Sequence, residues 1–271
     1  DTATTEIYTL SLHDALPIVD HNVLASPASV ESITQGGAYV NNLIAGTVRV
    51  QSVMERATPY HLPHSTEVAG YAVIYAGDDR WWGNVFLGNG GDPANIGAAY
   101  GTTALSQPFG EITRVGYGTA VYDGHPASFD EYLAAIHASL PGDLNVFLDK
   151  RQPAYVRSNV YLAGARPFDR EDGALVVEGG EASLAVETTA DGVRLHVTLP
   201  EAFGSHTVPV ATTADLGRVR FPDAEFEARD GSPLVFDADL TGMAKGASSV
   251  AGPLASLTGG RQVVTVWGAA G

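Results

Sequence analysis

The 271-residue chain contains no cysteine, which excludes a disulfide framework and any thiolate-bound metal while leaving the compartment open. Lysine is nearly absent too. Of the 15 basic side chains only Lys150 and Lys245 are lysines, and this arginine bias, with abundant Ala and Gly, points to a G+C-rich bacterial genome. Positive charge is scarce overall. The formal net charge is −16 and no basic stripe offsets it, so the surface repels phosphate backbones and anionic lipid, and no nucleic-acid partner is expected. No apolar run approaches the roughly eighteen residues of a membrane-spanning helix, and no membrane partner is expected either. A Gly-x-Ser-x-Gly nucleophile elbow is missing. Neither lysine precedes Ser or Thr, as a phosphate-cradling loop requires, and the clusters "GNGG" and "GYG" open no helix, so no dinucleotide cofactor is expected.

What is present is a repeat. "HNVLAS" from His21, "NNLIAG" from Asn41, "GNVFLG" from Gly83 and "SNVYLAG" from Ser158 each set an Asn (Asn22, Asn42, Asn84, Asn159) before a short apolar run and a small residue. Such units suit one strand of a parallel β-helix, where an apolar run stacks on the same run of the next coil. Asn at the corner tolerates left-handed dihedrals and can ladder its amide from coil to coil. The first two units lie 20 residues apart, about one coil, and the later gaps of 42 and 75 require loops that project from the stack. The competing reading is four unrelated strands with Asn in their turns.

The longest excursion, residues 92–153, holds one clear helix signal, "SFDEYLAAIHASLPG". Ser128 and Glu131 suggest a capping box, Pro141-Gly142 a stop, and Phe129, Tyr132, Leu133, Ile136 and Leu140 an apolar stripe expected against the flank of the solenoid. His137 reads as a surface residue. Beyond Phe168 the texture changes: Asp191-Gly192 is a hairpin signal, and Val193, Leu195, Val197 and Leu199 alternate toward one face. "RDGSP" marks a turn and "RQVVTVW" a closing strand. His196 and His206 in this part read as structural. The expected fold is therefore all-β: right-handed parallel β-helix coils over 19–168, with the excursion 92–153, then a small antiparallel β-sheet or sandwich domain over 169–271.

The densest polar constellation is "TPYHLPHSTEVAG", which carries His61, His64, Thr66 and Glu67. His61, His64 and Glu67 recur every third residue, yet Pro59 and Pro63 oppose the helix that would converge them, and on a strand they alternate in direction. A metal site is therefore disfavoured against a polar rim around a bound polar molecule, or against a Pro-rich loop whose imidazoles satisfy backbone groups. In "YAGDDRWWGN", Asp79 and Trp81 suit a sugar, the ring stacking on its apolar side and the carboxylate taking hydroxyls. The bland alternatives are that one Trp of the pair is core and that Asp78 or Asp79 ends a turn or pairs with Arg80.

The first eighteen residues, Asp1 to Ile18, read differently: they coincide with the translation of a common short-read sequencing adapter. The expectation is a metagenomic or draft assembly in which the chain's own sequence starts near Val19, with a net charge of −13 once Asp1, Glu6 and Asp14 are set aside. Tyr8, Leu10 and Leu12 alternate with Thr9 and Ser11, so they are expected along the open edge of the stack as an added strand.

Several blocks in order carry a family resemblance: "VDHNVLASPASV", "TQGGAYVNNLIAGTVRV", "TPYHLPHSTEVAG", "GDDRWWGNVFLGNGG", "TTADLGRVRFP" and "DGSPLVFDADLTG". Over most of Val19 to Trp267 the chain resembles the C-terminal half of right-handed β-helix glycoside hydrolases of the β-xylosidase type, glycoside hydrolase family 120. The resemblance implies a retaining enzyme that acts on terminal sugars of oligosaccharides without metal or organic cofactor, through two carboxylates roughly 5 Å apart. It also implies that both carboxylates lie on coils before "VDHN", so no catalytic residue is assigned within this chain and the fragment alone is expected to be inactive and aggregation-prone. His61, His64, Thr66, Glu67, Asp79 and Trp81 remain as candidate substrate contacts for a xylo-oligosaccharide-like ligand, with room for a homo-oligomer in the intact protein. Two rivals stand beside this: a noncatalytic β-helix protein that binds or displays on polysaccharide, and a self-sufficient enzyme in which Glu67 and Asp79 face each other across a groove.

Overall fold

The computed structural model describes residues 17–88, 113–138 and 151–268. The chain is an all-β parallel β-helix. Its first face stacks Ile18–Asp20, Ala38–Val40, Asp79–Trp82 and Ala154–Arg157 in parallel, and its second stacks Val23–Leu24, Leu43–Ile44, Val85–Leu87, Val160–Leu162 and Leu175–Val177. The third face pairs Ala28–Ser32 with Thr47–Gln51 in parallel, then breaks the pattern, because Thr113–Gly116 returns antiparallel from the excursion. The strand expected over Tyr8 to Leu12 lies outside the described residues.

Identical register between coils puts like residues above one another inside the stack. Val19, Tyr39, Trp81 and Val156 form one column, and Leu24, Ile44, Phe86 and Tyr161 another, which Val176 continues at the exposed end. The rings of Tyr39 and Trp81 stack at 3.9 Å and those of Phe86 and Tyr161 at 5.1 Å, both near parallel, so the wider aromatics occupy successive rungs and fill the lumen.

The four repeat asparagines form the ladder their spacing suggests. The Oδ1 of Asn42 accepts the backbone N–H of Asn22, that of Asn84 accepts from Asn42, and that of Asn159 accepts from Asn84, at 2.8–2.9 Å. Each Nδ2 also donates to the next Oδ1. In the last three asparagines it reaches back to a carbonyl of the preceding coil as well. Asn42, Asn84 and Asn159 are fully buried, so these bonds satisfy groups that water cannot reach. Two roles expected of one residue are divided, however. The left-handed dihedral falls on the residue before each ladder Asn, namely His21 (φ 52°), Asn41 (53°), Gly83 (63°) and Ser158 (55°), which frees the Asn itself for regular pairing.

The last rung ends the ladder with different chemistry. Ala174 stands where a fifth Asn would precede Leu175, and Glu171 reaches in instead. Its Oε1 accepts from the backbone N–H and Nδ2 of Asn159, both at 2.8 Å, and its Oε2 accepts from the Tyr161 hydroxyl.

The remaining C-terminal residues wrap two of the three faces. Ser183–Thr189, Gly192–Leu199 and Gly260–Gly268 form an antiparallel sheet whose Leu195, Val197 and Leu199 pack on Leu43, Val85 and Val160, making a sandwich with the second face. Segments around Ala211, Leu216, Val219, Phe226 and Phe236 cover Ala38, Val40 and Trp82 on the outside of the first face. Burial on both sides explains why these strands read as continuous apolar runs. The third face stays polar outside, where Arg49 pairs with Glu31 and bonds Gln51.

In the excursion, the helix Phe129–His137 starts where expected, with Ser128 Oγ accepting from the Glu131 N–H at 3.1 Å. Glu131 returns its bond to Ala127 N–H rather than to the cap residue, so the box is shifted by one. Of the stripe, Tyr132 is fully buried and Phe129 stays 39% exposed, while Leu140 and the Pro141-Gly142 stop lie outside the described residues. No helix among the described residues is long and apolar enough to cross a membrane.

Candidate functional site

Between the second and third coils the chain leaves the stack as an antiparallel hairpin, Val53–His61 with Val68–Ile74. Gln35 ties its base, donating to the Val73 carbonyl (3.0 Å) and accepting from Tyr75 N–H (3.2 Å). The two prolines that oppose a helix thus lie in or beside a projecting ribbon, and His61, His64, Thr66 and Glu67 gather at its tip. His61 ends the outgoing strand opposite Val68; Thr66 and Glu67 are exposed. His64 adopts a left-handed dihedral (φ 56°) that turns the tip, and its Nε2 lies 3.4 Å from the Glu227 carboxylate on the C-terminal segment. Glu67 N–H donates to Ser65 Oγ at 3.1 Å. Among the described residues no group of three or more His, Asp or Glu is placed to hold a metal ion.

Asp79 and Trp81 lie elsewhere. Both are fully buried inside the coils, and the reason is the strand they occupy: it faces the lumen on one side and the C-terminal wrap on the other. Trp81 stacks on Tyr39, while its neighbour Trp82 points outward and donates Nε1–H to the Pro209 carbonyl at 3.0 Å. Asp79 accepts from Gly37 N–H (3.0 Å) and the Tyr122 hydroxyl (2.8 Å), and burial pushes its carboxyl up to about 7. Glu67, exposed at the hairpin tip, and Asp79, inside the stack, therefore share no groove. Neither buried residue is placed to touch a sugar, so the sugar-facing role expected for Asp79 and Trp81 is replaced by a packing role.

Asp78 and Arg80 act as a staple between the two halves. Arg80 Nη1 pairs with Asp78 at 2.7 Å, while Nε and Nη2 donate to the carbonyls of Leu216 (2.9 Å) and Arg218 (2.6 Å). The other Asp78 oxygen accepts from Arg220 N–H at 2.9 Å. Both side chains are almost wholly buried, so each depends on the other for its charge.

That staple delivers Arg220 to a junction absent from the sequence reading. Its Nη1 donates to the Tyr132 hydroxyl at 2.7 Å, and its guanidinium carbon sits 4.8 Å from the Tyr132 ring, 5.4 Å from Phe221 and 5.7 Å from Phe129. Phe221 in turn meets Tyr60 of the hairpin at 5.9 Å. Tyr75 lies within the electrostatic reach of Arg220 and Tyr132, and Tyr155 carries Arg80 over its ring at 4.6 Å. Burial raises both phenols above their ordinary range, keeping them neutral donors. Aromatic faces beside hydroxyl and guanidinium donors, part exposed, suit a sugar ring better than the hairpin tip alone. Hairpin, helix and C-terminal segment supply these residues from more than a hundred positions of sequence, which is why no local motif announces them.

No protein-family model matches the chain, and no curated protein matches it. Among solved structures it is similar to XylC, determined in complex with xylose, at 38% sequence identity and a TM-score of 0.78 over 92% of this chain. The match covers 36% of XylC, so the chain spans about a third of that protein's length.

Proposed function

We propose that this chain is the C-terminal part of a xylosidase-type glycoside hydrolase, of the family 120 kind, acting on terminal sugars of oligosaccharides. The observation that carries the reading is the match to XylC, a protein whose structure holds xylose, at an identity well above fold-level likeness. In this reading cleavage is retaining: one carboxylate attacks the anomeric carbon, and a second protonates the leaving oxygen and then activates water. Both belong to coils stacked before Ile18–Asp20, and this chain supplies the wall. His61, His64, Thr66 and Glu67 at the hairpin tip offer hydrogen bonds to sugar hydroxyls, and the junction around Arg220 offers stacking faces at its base.

The test is hydrolysis of an aryl β-xyloside. The purified 271-residue chain is expected to show no turnover above the buffer rate, and the same chain joined to a complete set of preceding coils is expected to be active. Clear turnover by the chain alone refutes the placement of the acids; binding of xylo-oligosaccharide without turnover by the completed protein favours a noncatalytic polysaccharide binder.

A further inference from the structure

The Arg220 guanidinium makes no ion pair among the described residues. Arg220 is part-buried, and among the described residues no carboxylate comes within ion-pairing distance of its guanidinium, although Asp and Glu outnumber Lys and Arg by 31 to 15. Asp78, whose charge Arg220 also favours, is already committed, one oxygen to the Arg80 guanidinium and the other to the Arg220 backbone N–H. A guanidinium offers five N–H donors in a flat fork, and among the described residues a single one meets a protein acceptor. Its plane lies among the rings of Tyr132, Phe221 and Phe129, which hold it in place without neutralising it. Partial desolvation makes an open fork of this kind costly unless an anion completes it, and the fork geometry matches a carboxylate.

We propose that Arg220, with the hydroxyl of Tyr75 and the rings of Phe129 and Phe221, binds the carboxylate of an acidic sugar, a uronic acid residue or branch on an oligosaccharide. The carbohydrate part rests on the reading above; the preference for a carboxylate rests on Arg220 itself. Arg220 takes the carboxylate side-on, Tyr75 donates to it or to an adjacent hydroxyl, and the half-exposed Phe129 covers the apolar side of the ring. A neutral sugar gains the stacking but leaves the fork unfilled.

The experiment titrates the full chain with glucuronate, glucose and acetate by ligand-observed NMR. Glucose lacks only the carboxylate, and acetate lacks the ring. Glucuronate is expected to bind about tenfold more tightly than either, the size of a charge-assisted hydrogen-bond pair. Arg220→Gln should erase the gap between glucuronate and glucose, and Arg220→Lys should recover a part of it. Equal binding of glucuronate and glucose, binding of acetate as tight as glucuronate, or no binding of any of the three overturns the proposal. If Arg220→Gln fails to fold, Tyr75→Phe serves instead: it should reduce the glucuronate preference severalfold, and an unchanged preference counts against the site. Because no step here depends on xyloside turnover, a preference that survives while the completed protein proves inactive overturns only the hydrolase reading. Turnover without a preference overturns only this one.

Discussion

Glu171→Gln is the sharpest probe of the coil stack. Glu171 closes the asparagine ladder with a carboxylate, and burial pushes that carboxyl from 4.5 up to about 7, against the pull of the Tyr161 hydroxyl and the two Asn159 donors. The folded state therefore holds a proton that the unfolded chain releases between pH 4.5 and 7. A raised folded value means the contribution is complete below the unfolded value and is lost as pH rises through the folded one. The shift corresponds to about 3 kcal/mol, and residual solvent contact lowers this to about 2–3 kcal/mol between pH 5 and 8. Glutamine keeps an Oε1 for both Asn159 donors and carries no charge, so it extends the amide ladder by one rung and removes this linkage. Asp79, also raised, and His125, pushed down to about 4 by burial, titrate in the same range, but they are common to both proteins and cancel in the difference. Urea unfolding of wild type and variant at pH 5, 6.5 and 8 should show the variant gaining about 2–3 kcal/mol relative to wild type from the lowest pH to the highest. A difference that stays constant across the range refutes the assignment of a part-buried, proton-holding Glu171.

Asn84→Ala removes the acceptor for two donors of Asn42 and the donor to Tyr39 O and Asn159, and should cost about 3–5 kcal/mol in urea unfolding, with Asn84→Asp no better because it cannot donate. Arg80→Met leaves Asp78 buried without its partner and unfastens the Leu216 and Arg218 carbonyls; a loss of about 3–5 kcal/mol is expected, with trypsin cutting after Arg218 and Arg220 sooner than in wild type. Gly46→Ala would set a methyl 2.0 Å from the Ser26 carbonyl of the coil above, and should destabilise by about 3 kcal/mol in the same assay, though Gly46 has no left-handed dihedral to explain it.

The stack itself was legible because its physics repeats. A ladder needs an amide at the same point of every coil, so Asn22, Asn42, Asn84 and Asn159 announce it, whereas the left-handed corner tolerates His, Asn, Gly and Ser and leaves no common letter. Glu171 was illegible because it reaches its place from three residues before Ala174, outside the repeat. Asp79 and Trp81 misled for a different reason. Alternation leaves one side of a strand to solvent, but here Asp79 and Trp81 face the lumen while their outward neighbours Arg80 and Trp82 are covered by residues more than a hundred positions later, so no side is open and only the fold reveals it. The hairpin tip was visible as a polar block, while the Arg220 junction draws its residues from the hairpin, the helix and the C-terminal segment and has no signature that one sequence can display.

Both detours, the hairpin after Gln51 and the longer one after Leu87, rejoin the stack at the start of the first face. The asymmetry of the wrap makes this the cheap place for change: two sides of the column are clasped by a belt that must meet specific rungs about 4.8 Å apart, so a coil can be gained or dropped only as a whole. Length added at the corner where these detours leave keeps that registry, because there, among the described residues, the belt touches only the detours, through Tyr60–Phe221, His64–Glu227 and Tyr132–Arg220. Descendants of this architecture are free to vary their reach and selectivity there while the column and its belt stay fixed, and grafting of new loops for altered ligands should begin at that corner.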